Sequence, residues 1–215
     1  MKKIQDYKNS EKGICLIVGT APSLDRVPLE FLRSYKRIGV NFSILHIPST
    51  YHAIVDCARP EMTSVVRKLL TDSQIPCFIS PHWWKDKGAF ESFSNEIVIP
   101  KAPDHVHQNL DFVTKLYRDI DLLESQVTSR VTVVLELAIP LAFYLGFEQV
   151  VLVGVELKKT HLYAQKMIQS KGTGFDQRYV THLLKGIQNS DKFSRIFTVD
   201  KNSELPFQNG HQHFE

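Results

Sequence analysis

The sequence is short of cysteine, of excess charge and of long apolar segments, and each shortage excludes a class of protein. Only three of its 215 residues are cysteines and none form a Cys-x-x-Cys pair, so neither a disulfide framework nor a cysteine-based zinc site is predicted. Lys and Arg exceed Asp and Glu by 26 − 23 = 3, a margin that does not favour nucleic acid as a partner.

The chain also lacks the segments that direct a protein to a membrane or out of the cell. The first stretch, MKKIQDYKNSEKG, has lysines but no apolar run behind them, unlike a signal peptide. The longest apolar stretch, residues 131–147, is short for a bilayer span and is interrupted by Glu136 and Pro140. We therefore expect a cytoplasmic protein with reduced cysteines and no integral membrane segment.

Apolar runs alternate with amphipathic stretches along the chain, a pattern typical of a mostly parallel sheet with helices on both faces. The length suits one domain. We predict an α/β, single-domain, Rossmann-like fold over residues 1–215, with residues 1–12 and 203–215 loosely ordered. The predicted strands are residues 14–18, 37–41, 53–57, 77–80, 96–99, 149–153 and 195–199, and the predicted helices are residues 24–35, 61–70, 111–123, 130–145 and 177–188.

The helix at residues 130–145 has the clearest boundary signals. Thr128 and Ser129 are suited to cap its start, and Gly146 is suited to end it in the left-handed conformation. Pro140 lies inside the predicted helix, where it should bend the helix or mark its true start.

Small or polar residues follow four of the predicted strands, where ligands bind in open α/β sheets. These segments are Gly19-Thr20-Ala21-Pro22-Ser23, Asn41, Asp56 and Gly154-Val155-Glu156. Because parallel strands end at one edge, we expect the four segments to form a single polar crevice. Three of them also have a plainer interpretation, with Gly19 and Asn41 as turn residues and Asp56 as a helix cap.

The first of these turns lacks the two common phosphate-binding patterns. It has neither G-x-G-x-x-G nor the Gly-Lys-Ser/Thr ending of a Walker loop, so a standard NAD or ATP loop is excluded. Since Gly19 has no Cβ, a ligand could approach its backbone closely. Gly19→Val is therefore expected to abolish nucleotide binding in a protein that still folds.

Together these segments resemble the bacterial sialyltransferases of glycosyltransferase family 42, with the related MptE-like 6-hydroxymethylpterin diphosphokinases and motility-accessory-factor proteins. Those proteins carry G-N-G-P-S-L after the first strand, an Asn after the second and an Asn or Asp after the third. They also carry a Ser-containing turn, a helix ending in Leu-Gly-Phe or Leu-Gly-Tyr, and a strand ending in Gly-Val/Ile-Asp. The matching segments here are GTAPSL at residues 19–24, Asn41, Asp56, Thr128-Ser129-Arg130, LGF at residues 145–147 and Gly154-Val155-Glu156.

The resemblance implies that a sugar nucleotide or a pterin substrate lies across these strand ends. The binding residues it implies are Gly19, Thr20, Pro22, Ser23, Asn41, Asp56, Ser129, Arg130, Gly154 and Glu156.

The resemblance also implies two catalytic residues. The sialyltransferases take their base from a Tyr-x-x-His stretch before a helix, and Tyr179-Val180-Thr181-His182 makes His182 the candidate here. Tyr163, beside His161, is the candidate for steadying the leaving phosphate. The plainer interpretation of His182 is a surface histidine near the start of a helix.

Thr20 and Ala21 depart from the family's Asn and Gly, and Glu156 is one methylene longer than its Asp. Three functions therefore remain open. The first is a glycosyltransferase with a CMP-sialic-acid-like donor, no resident metal and His182 as base. The second is diphosphate transfer from ATP to a pterin alcohol, with Mg²⁺ held by Asp56 or Glu156. The third is a non-catalytic binding protein on the same fold, and each is compatible with a homo-oligomer.

Overall fold

A single parallel sheet forms the centre of the protein. The computed structural model describes residues 2–54, 60–79, 95–99, 111–125, 132–156, 177–200, 203 and 205–210. Its strands are β1 (Ile14–Val18), β2 (Lys36–Val40), β3 (Tyr51–Ile54), β4 (Cys77–Ile79), β5 (Glu96–Val98), β6 (Gln149–Val153), β7 (Ile196–Thr198) and β8 (Gln208–Asn209). They follow the order β5-β4-β3-β2-β1-β6-β7-β8, and each pairing within the described ranges is parallel. The predicted α/β fold class is confirmed.

The strand order reverses direction between β1 and β6. From β1 the chain adds β2 to β5 on one side, and it then returns to place β6 to β8 on the other side. Connections that leave β1 and β6 in opposite directions open a crevice at the carboxyl ends of these two strands. The topology therefore positions the candidate site at the centre of one sheet edge.

Helices cover both faces of the sheet. They are α1 (Leu29–Ser34), α2 (Pro60–Asp72), α3 (Asp111–Arg118), α4 (Ile139–Leu145) and α5 (Gln177–Gln188), with 3-10 turns at Ile4–Tyr7, Pro22–Arg26, Ser43–Leu45, Ile120–Glu124 and Phe193–Arg195.

Strand β1 shows how the two faces are filled. Its Leu16 and Val18 pack in a cluster with Leu32 of α1, while Cys15 and Ile17 pack in the larger cluster to which α3, α4 and α5 contribute. Both sets of side chains are buried, which explains why β1 reads as a continuous apolar run rather than an alternating one.

The helix predicted at residues 24–35 is wrong in its extent. The chain forms the 3-10 turn Pro22–Arg26 and then the short helix α1, with Val27 extended between them (φ −90°, ψ 125°). Pro28 explains the break, because a proline disfavours the helical conformation in the residue before it.

The structure describes the helix predicted from residue 130 only from Thr132 onward, and the predicted caps Thr128 and Ser129 lie outside the described residues. Within the described part, Thr132 makes the bonds of a helix cap. Its Oγ1 accepts the Leu135 N–H at 2.8 Å, and its own N–H donates to Glu136 Oε2 at 2.7 Å. The reciprocal bonds satisfy two amides that would otherwise have no partner at the helix start.

Pro140 follows a widened segment of this helix and lies in the first turn of the regular helix α4. A proline has no N–H to donate to the carbonyl four residues earlier, which here belongs to Glu136. The segment Val134–Ala138 is a π-helix in which the Ile139 N–H bonds to Val134 O, and the regular helix α4 starts at Ile139. Gly146 then ends α4 in the predicted left-handed conformation, at φ 105°.

Near both ends of the chain, described residues pack against the core. Ile4 is buried, and Lys8 pairs with Asp121 near Tyr144 at the carboxyl end of α4. Near the other end, Leu205 and Phe207 are buried and the chain adds strand β8 beside β7.

Two expectations concern thiols and membranes. Cys15 and Cys77 are buried free thiols, while Cys57 lies outside the described residues. Within the described ranges, no helix has the length and apolar character needed to cross a bilayer.

Candidate functional site at the β1–β6 switch point

Two turns meet where β1 and β6 end. The strands pair in register up to Val18 and Val153, so Gly19 and Gly154 leave the sheet side by side. The Gly19 N–H donates to Val153 O at 2.8 Å, and the Ala21 N–H donates to Gly154 O at 2.9 Å. The backbone hydrogen bonds of the sheet therefore continue beyond the strands and tie the turns to each other.

The turns approach more closely than a side chain would allow. A β-carbon on Gly19 would lie 2.2 Å from Gly154 O and 2.9 Å from Val155 Cγ2. Gly154 has φ +65°, and a β-carbon there would lie 3.0 Å from Leu24 Cβ. The two turns can thus make contact only because residue 19 has no Cβ. Gly19→Val is accordingly expected to disturb folding, which changes the expectation drawn from the sequence.

A carboxylate from the second turn binds the first. Glu156 Oε1 accepts the Ser23 N–H at 2.9 Å. Pro22 precedes Ser23 at the start of the 3-10 turn, where its missing N–H costs no hydrogen bond. Thr20 and Ser23 are buried, and Ser23 Oγ has no hydrogen-bond partner among the described residues. The bond between Ser23 and Glu156 therefore links the turn after β1 to the turn after β6.

The length of Glu156 can be tested through stability. An aspartate is one methylene shorter, so Glu156→Asp cannot reach the Ser23 amide unless the turn moves. We expect Glu156→Asp to lower the free energy of unfolding by about 1 kcal/mol, near the net value of one hydrogen bond. Glu156→Gln retains an acceptor oxygen at full reach and should lose less. Urea unfolding of both variants decides the point, and an unchanged midpoint for Glu156→Asp would show that the bond is dispensable.

Asn41 lies on the neighbouring strand end. β2 pairs with β1, and Asn41 directly follows β2, so the structure brings Asn41 to the same edge as Gly19–Ser23 and Gly154–Glu156. Its φ of +47° is unusual for a residue other than glycine. Its carbonyl accepts a hydrogen bond from His52 Nε2 at 2.7 Å.

His52 is a buried residue beside the site that sequence reasoning missed. The only sequence signal for His52 is that a single histidine interrupts the apolar run YHAI. Which residue of β2 it faces depends on the register between β2 and β3. Burial lowers the pKa of His52 to about 4, and the hydrogen bond to Asn41 O opposes that shift only in part.

The buried imidazole predicts a pH dependence of stability. The pKa of His52 is lower in the folded protein than its ordinary value of 6.5, so the unfolded chain binds the proton more tightly. The neutral imidazole therefore contributes fully to the free energy of unfolding above pH 6.5. As the pH falls toward 4, that free energy drops by about 3 kcal/mol in total. Unfolding free energies of the native protein and His52→Gln between pH 7 and pH 4 test this. The native protein should lose more unfolding free energy over this pH range than His52→Gln. Equal losses would contradict a buried, neutral His52.

The remaining site candidates are placed only in part. Asp56, Ser129, Arg130 and Tyr163 lie outside the described residues. His182 lies inside α5, in its second turn, rather than ahead of a helix. Because α5 leads into β7 and β7 is parallel to β6, the amino-terminal end of α5 lies toward the carboxyl edge of the sheet.

The described part of the chain contains no cluster of three or more His, Cys, Asp or Glu that could hold a metal ion. Glu156 is the described carboxylate of the switch point, and its bound oxygen is engaged by a backbone amide. The described contacts therefore assign Glu156 to the link between the two turns.

Comparison with known proteins gives a clear result only at the level of structure. No protein-family model matches the sequence, and no curated protein matches it. The MAf glycosyltransferase of Magnetospirillum magneticum AMB-1 matches the structure with a TM-score of 0.54 and 13% identity, over 94% of this chain and 34% of that one. The chain has a glycosyltransferase-like fold. It spans about a third of the length of that protein.

Two structures of the sialyltransferase CstII also match. One, described as an alpha-2,3/8-sialyltransferase, has a TM-score of 0.47 and 13% identity, over 91% of this chain and 85% of that one. The other is CstII from Campylobacter jejuni with the substrate analogue CMP-3FNeuAc, at a TM-score of 0.45 and 15% identity, over 93% and 85%.

Proposed function

We propose that the protein is a glycosyltransferase that uses a sugar nucleotide, with a CMP-sialic-acid-like donor as the favoured substrate. The observation that carries the proposal is the pair of interlocked turns at the β1–β6 switch point of a glycosyltransferase-like fold. Open α/β sheets bind nucleotides at such points. The choice of a CMP-linked donor rests on the sialyltransferase-like motifs of the sequence.

The chemistry of the turns favours the nucleoside part of the donor at their junction. Glu156 places a carboxylate on the Ser23 amide, so negative charge already occupies this end of the Pro22–Arg26 turn. A phosphate would be repelled there, whereas ribose hydroxyls donate readily to a carboxylate oxygen. We therefore place the ribose near Glu156 and the phosphate further from it.

Transfer needs a base for the acceptor and a partner for the leaving group. In the proposed reaction the acceptor hydroxyl attacks the anomeric carbon, its proton passes to His182, and the bond from that carbon to the phosphate oxygen breaks. The nucleotide leaves with the bonding electron pair, and Tyr163 donates a hydrogen bond to its phosphate. The orientation of α5 toward the carboxyl edge supports His182 in this role.

A ligand screen by thermal shift tests the proposal. CMP, UDP, GDP and ATP are compared with and without Mg²⁺, and the proposal predicts that CMP raises the melting temperature without metal. Ligand at 100 times its Kd should stabilise the fold by about 2.7 kcal/mol. An ATP response that requires Mg²⁺ would overturn the proposal in favour of diphosphate transfer, and no response to any nucleotide would favour a non-catalytic protein.

A matched pair of variants separates site binding from a general charge effect. Glu156→Gln removes the carboxylate at the switch point, while Glu148→Gln removes an exposed carboxylate just before β6, at the opposite edge. The CMP response should weaken in Glu156→Gln and persist in Glu148→Gln. Equal responses in both variants would contradict a ribose contact at Glu156.

A further inference from the structure

Asn41 has both of its peptide groups tied to the neighbouring strand β3. Its N–H donates to Ala53 O at 2.9 Å, and its C=O accepts from His52 Nε2 at 2.7 Å. At φ +47° the residue is in the left-handed region, which asparagine tolerates better than most residues other than glycine. Both bonds stabilise the backbone in this conformation.

The imidazole that makes one of these bonds is locked in place. His52 is fully buried and lies opposite Gly39 in the register of β2 and β3. A β-carbon on Gly39 would lie 2.6 Å from His52 Nδ1, so the ring occupies the space that a side chain would fill. Ser49 Oγ lies 3.2 Å from the same Nδ1.

These partners define the tautomer of the ring. The carbonyl of Asn41 can only accept, so Nε2 must carry the hydrogen. Nδ1 then accepts from the Ser49 hydroxyl, which can donate. Burial keeps the pKa of His52 near 4, so the ring remains neutral at neutral pH and keeps this tautomer. A continuous chain of hydrogen bonds thus runs from Ser49 through His52 to Asn41.

We propose that His52 is a positioning residue of the nucleotide site, which fixes Asn41 in its left-handed conformation and thereby sets the β2 side of the crevice. Val18 pairs with Gly39, so continuation of the register brings Asn41 level with Thr20 of the first turn. The role of His52 in binding rests on the proposed function, while its hold on the Asn41 backbone does not.

The conformational half of the proposal, that His52 holds the backbone of Asn41, is tested without any ligand. Amide hydrogen exchange of Asn41, followed by NMR, is compared in the native protein, His52→Phe and His52→Gln. Loss of the donor in His52→Phe should lower the protection of the Asn41 amide by at least about tenfold, while Gln, whose amide can donate from a similar position, should restore most of it. Unchanged protection in His52→Phe would overturn this half of the proposal.

The binding half is tested by a double-mutant cycle with CMP as the probe. Isothermal titration of His52→Phe, Asn41→Ala and the double variant is run at a temperature where each is folded. We expect about tenfold weaker binding in each single variant and no further loss in the double variant, because both changes disable the same contact. We expect His52→Gln to recover most of the CMP affinity that His52→Phe loses. If the affinity losses of the two single variants multiply in the double variant, or if His52→Phe binds CMP with native affinity, His52 does not act through Asn41 in binding.

Gly146→Ala is the control for stability alone. It destabilises the far edge of the protein, since a β-carbon there would lie 2.6 Å from Glu11 O. Its CMP affinity should equal that of the native protein, and an equal loss would show that His52→Phe acts only through stability. If the native protein binds no nucleotide at all, the proposed function and the binding half fail together, and the exchange experiment still decides the conformational half.

Discussion

Gly19→Ala is expected to lower the free energy of unfolding by roughly 3 kcal/mol, the upper part of the range for overpacked positions. The reason is that a β-carbon at position 19 would lie 2.2 Å from the carbonyl oxygen of Gly154. That atom belongs to the backbone, so no rotamer change relieves the clash and the two turns must separate. A loss of this size is a large fraction of the stability of an ordinary domain.

The matched control is Gly13→Ala. Gly13 has a positive φ of 75°, yet a β-carbon there meets no atom within 4 Å. It should therefore lose only about 1 kcal/mol, from backbone strain. Denaturant unfolding of both variants separates the two effects. Similar losses at positions 13 and 19 would contradict the close contact between the turns.

His182→Ala is expected to lower the rate of glycosyl transfer by roughly 10²- to 10⁴-fold, the usual contribution of a positioned acid–base group. Binding of the donor nucleotide should survive, because the proposed base removes a proton from the acceptor. Transfer rate and CMP affinity are measured on one folded preparation of the variant. Transfer near the native rate would reject His182 as the base and leave Tyr163 and His161 to be tested.

Lys185→Ala serves as the control for damage to the helix. Lys185 is exposed on α5, three residues after His182. The change should leave both transfer and binding unaltered. If Lys185→Ala reduces transfer as much as His182→Ala does, the effect belongs to the helix and not to the histidine.

The strands that flank the site could be predicted because their signals are local. β1 and β6 match the predicted residues 14–18 and 149–153, since strands buried on both faces read as unbroken apolar runs. The shared edge of Gly19, Asn41 and Gly154 then follows from parallel pairing.

Other features depend on contacts that sequence spacing does not reveal. The apolar residues of 24–35 suit a helix, but Pro28 divides the segment. Among the described residues, Thr132 makes the capping bonds of the helix predicted from residue 130, because Glu136 is placed to complete a reciprocal pair of bonds. The burial of Phe207 is likewise a contact that the composition of residues 203–215 does not reveal.

In the candidate site, too, the sequence indicates some residues through local signals but not the contacts that they make. Gly19 and Glu156 were identified from their places after strands, yet their contacts with Gly154 and Ser23 join residues far apart in the chain. His52 acts on Asn41 through the pairing of β2 with β3, and one sequence gives no direct signal of that register.

Chemical-shift mapping with CMP shows where the nucleotide binds. If it binds at the β1–β6 switch point, titration should shift the backbone amides of Gly19, Ser23, Asn41 and Gly154. The amide of Gly13, at the opposite edge before β1, should not move. Shifts confined to the switch-point edge are the predicted result. Shifts centred on the opposite edge, or none at CMP concentrations in the millimolar range, would contradict nucleotide binding at the switch point.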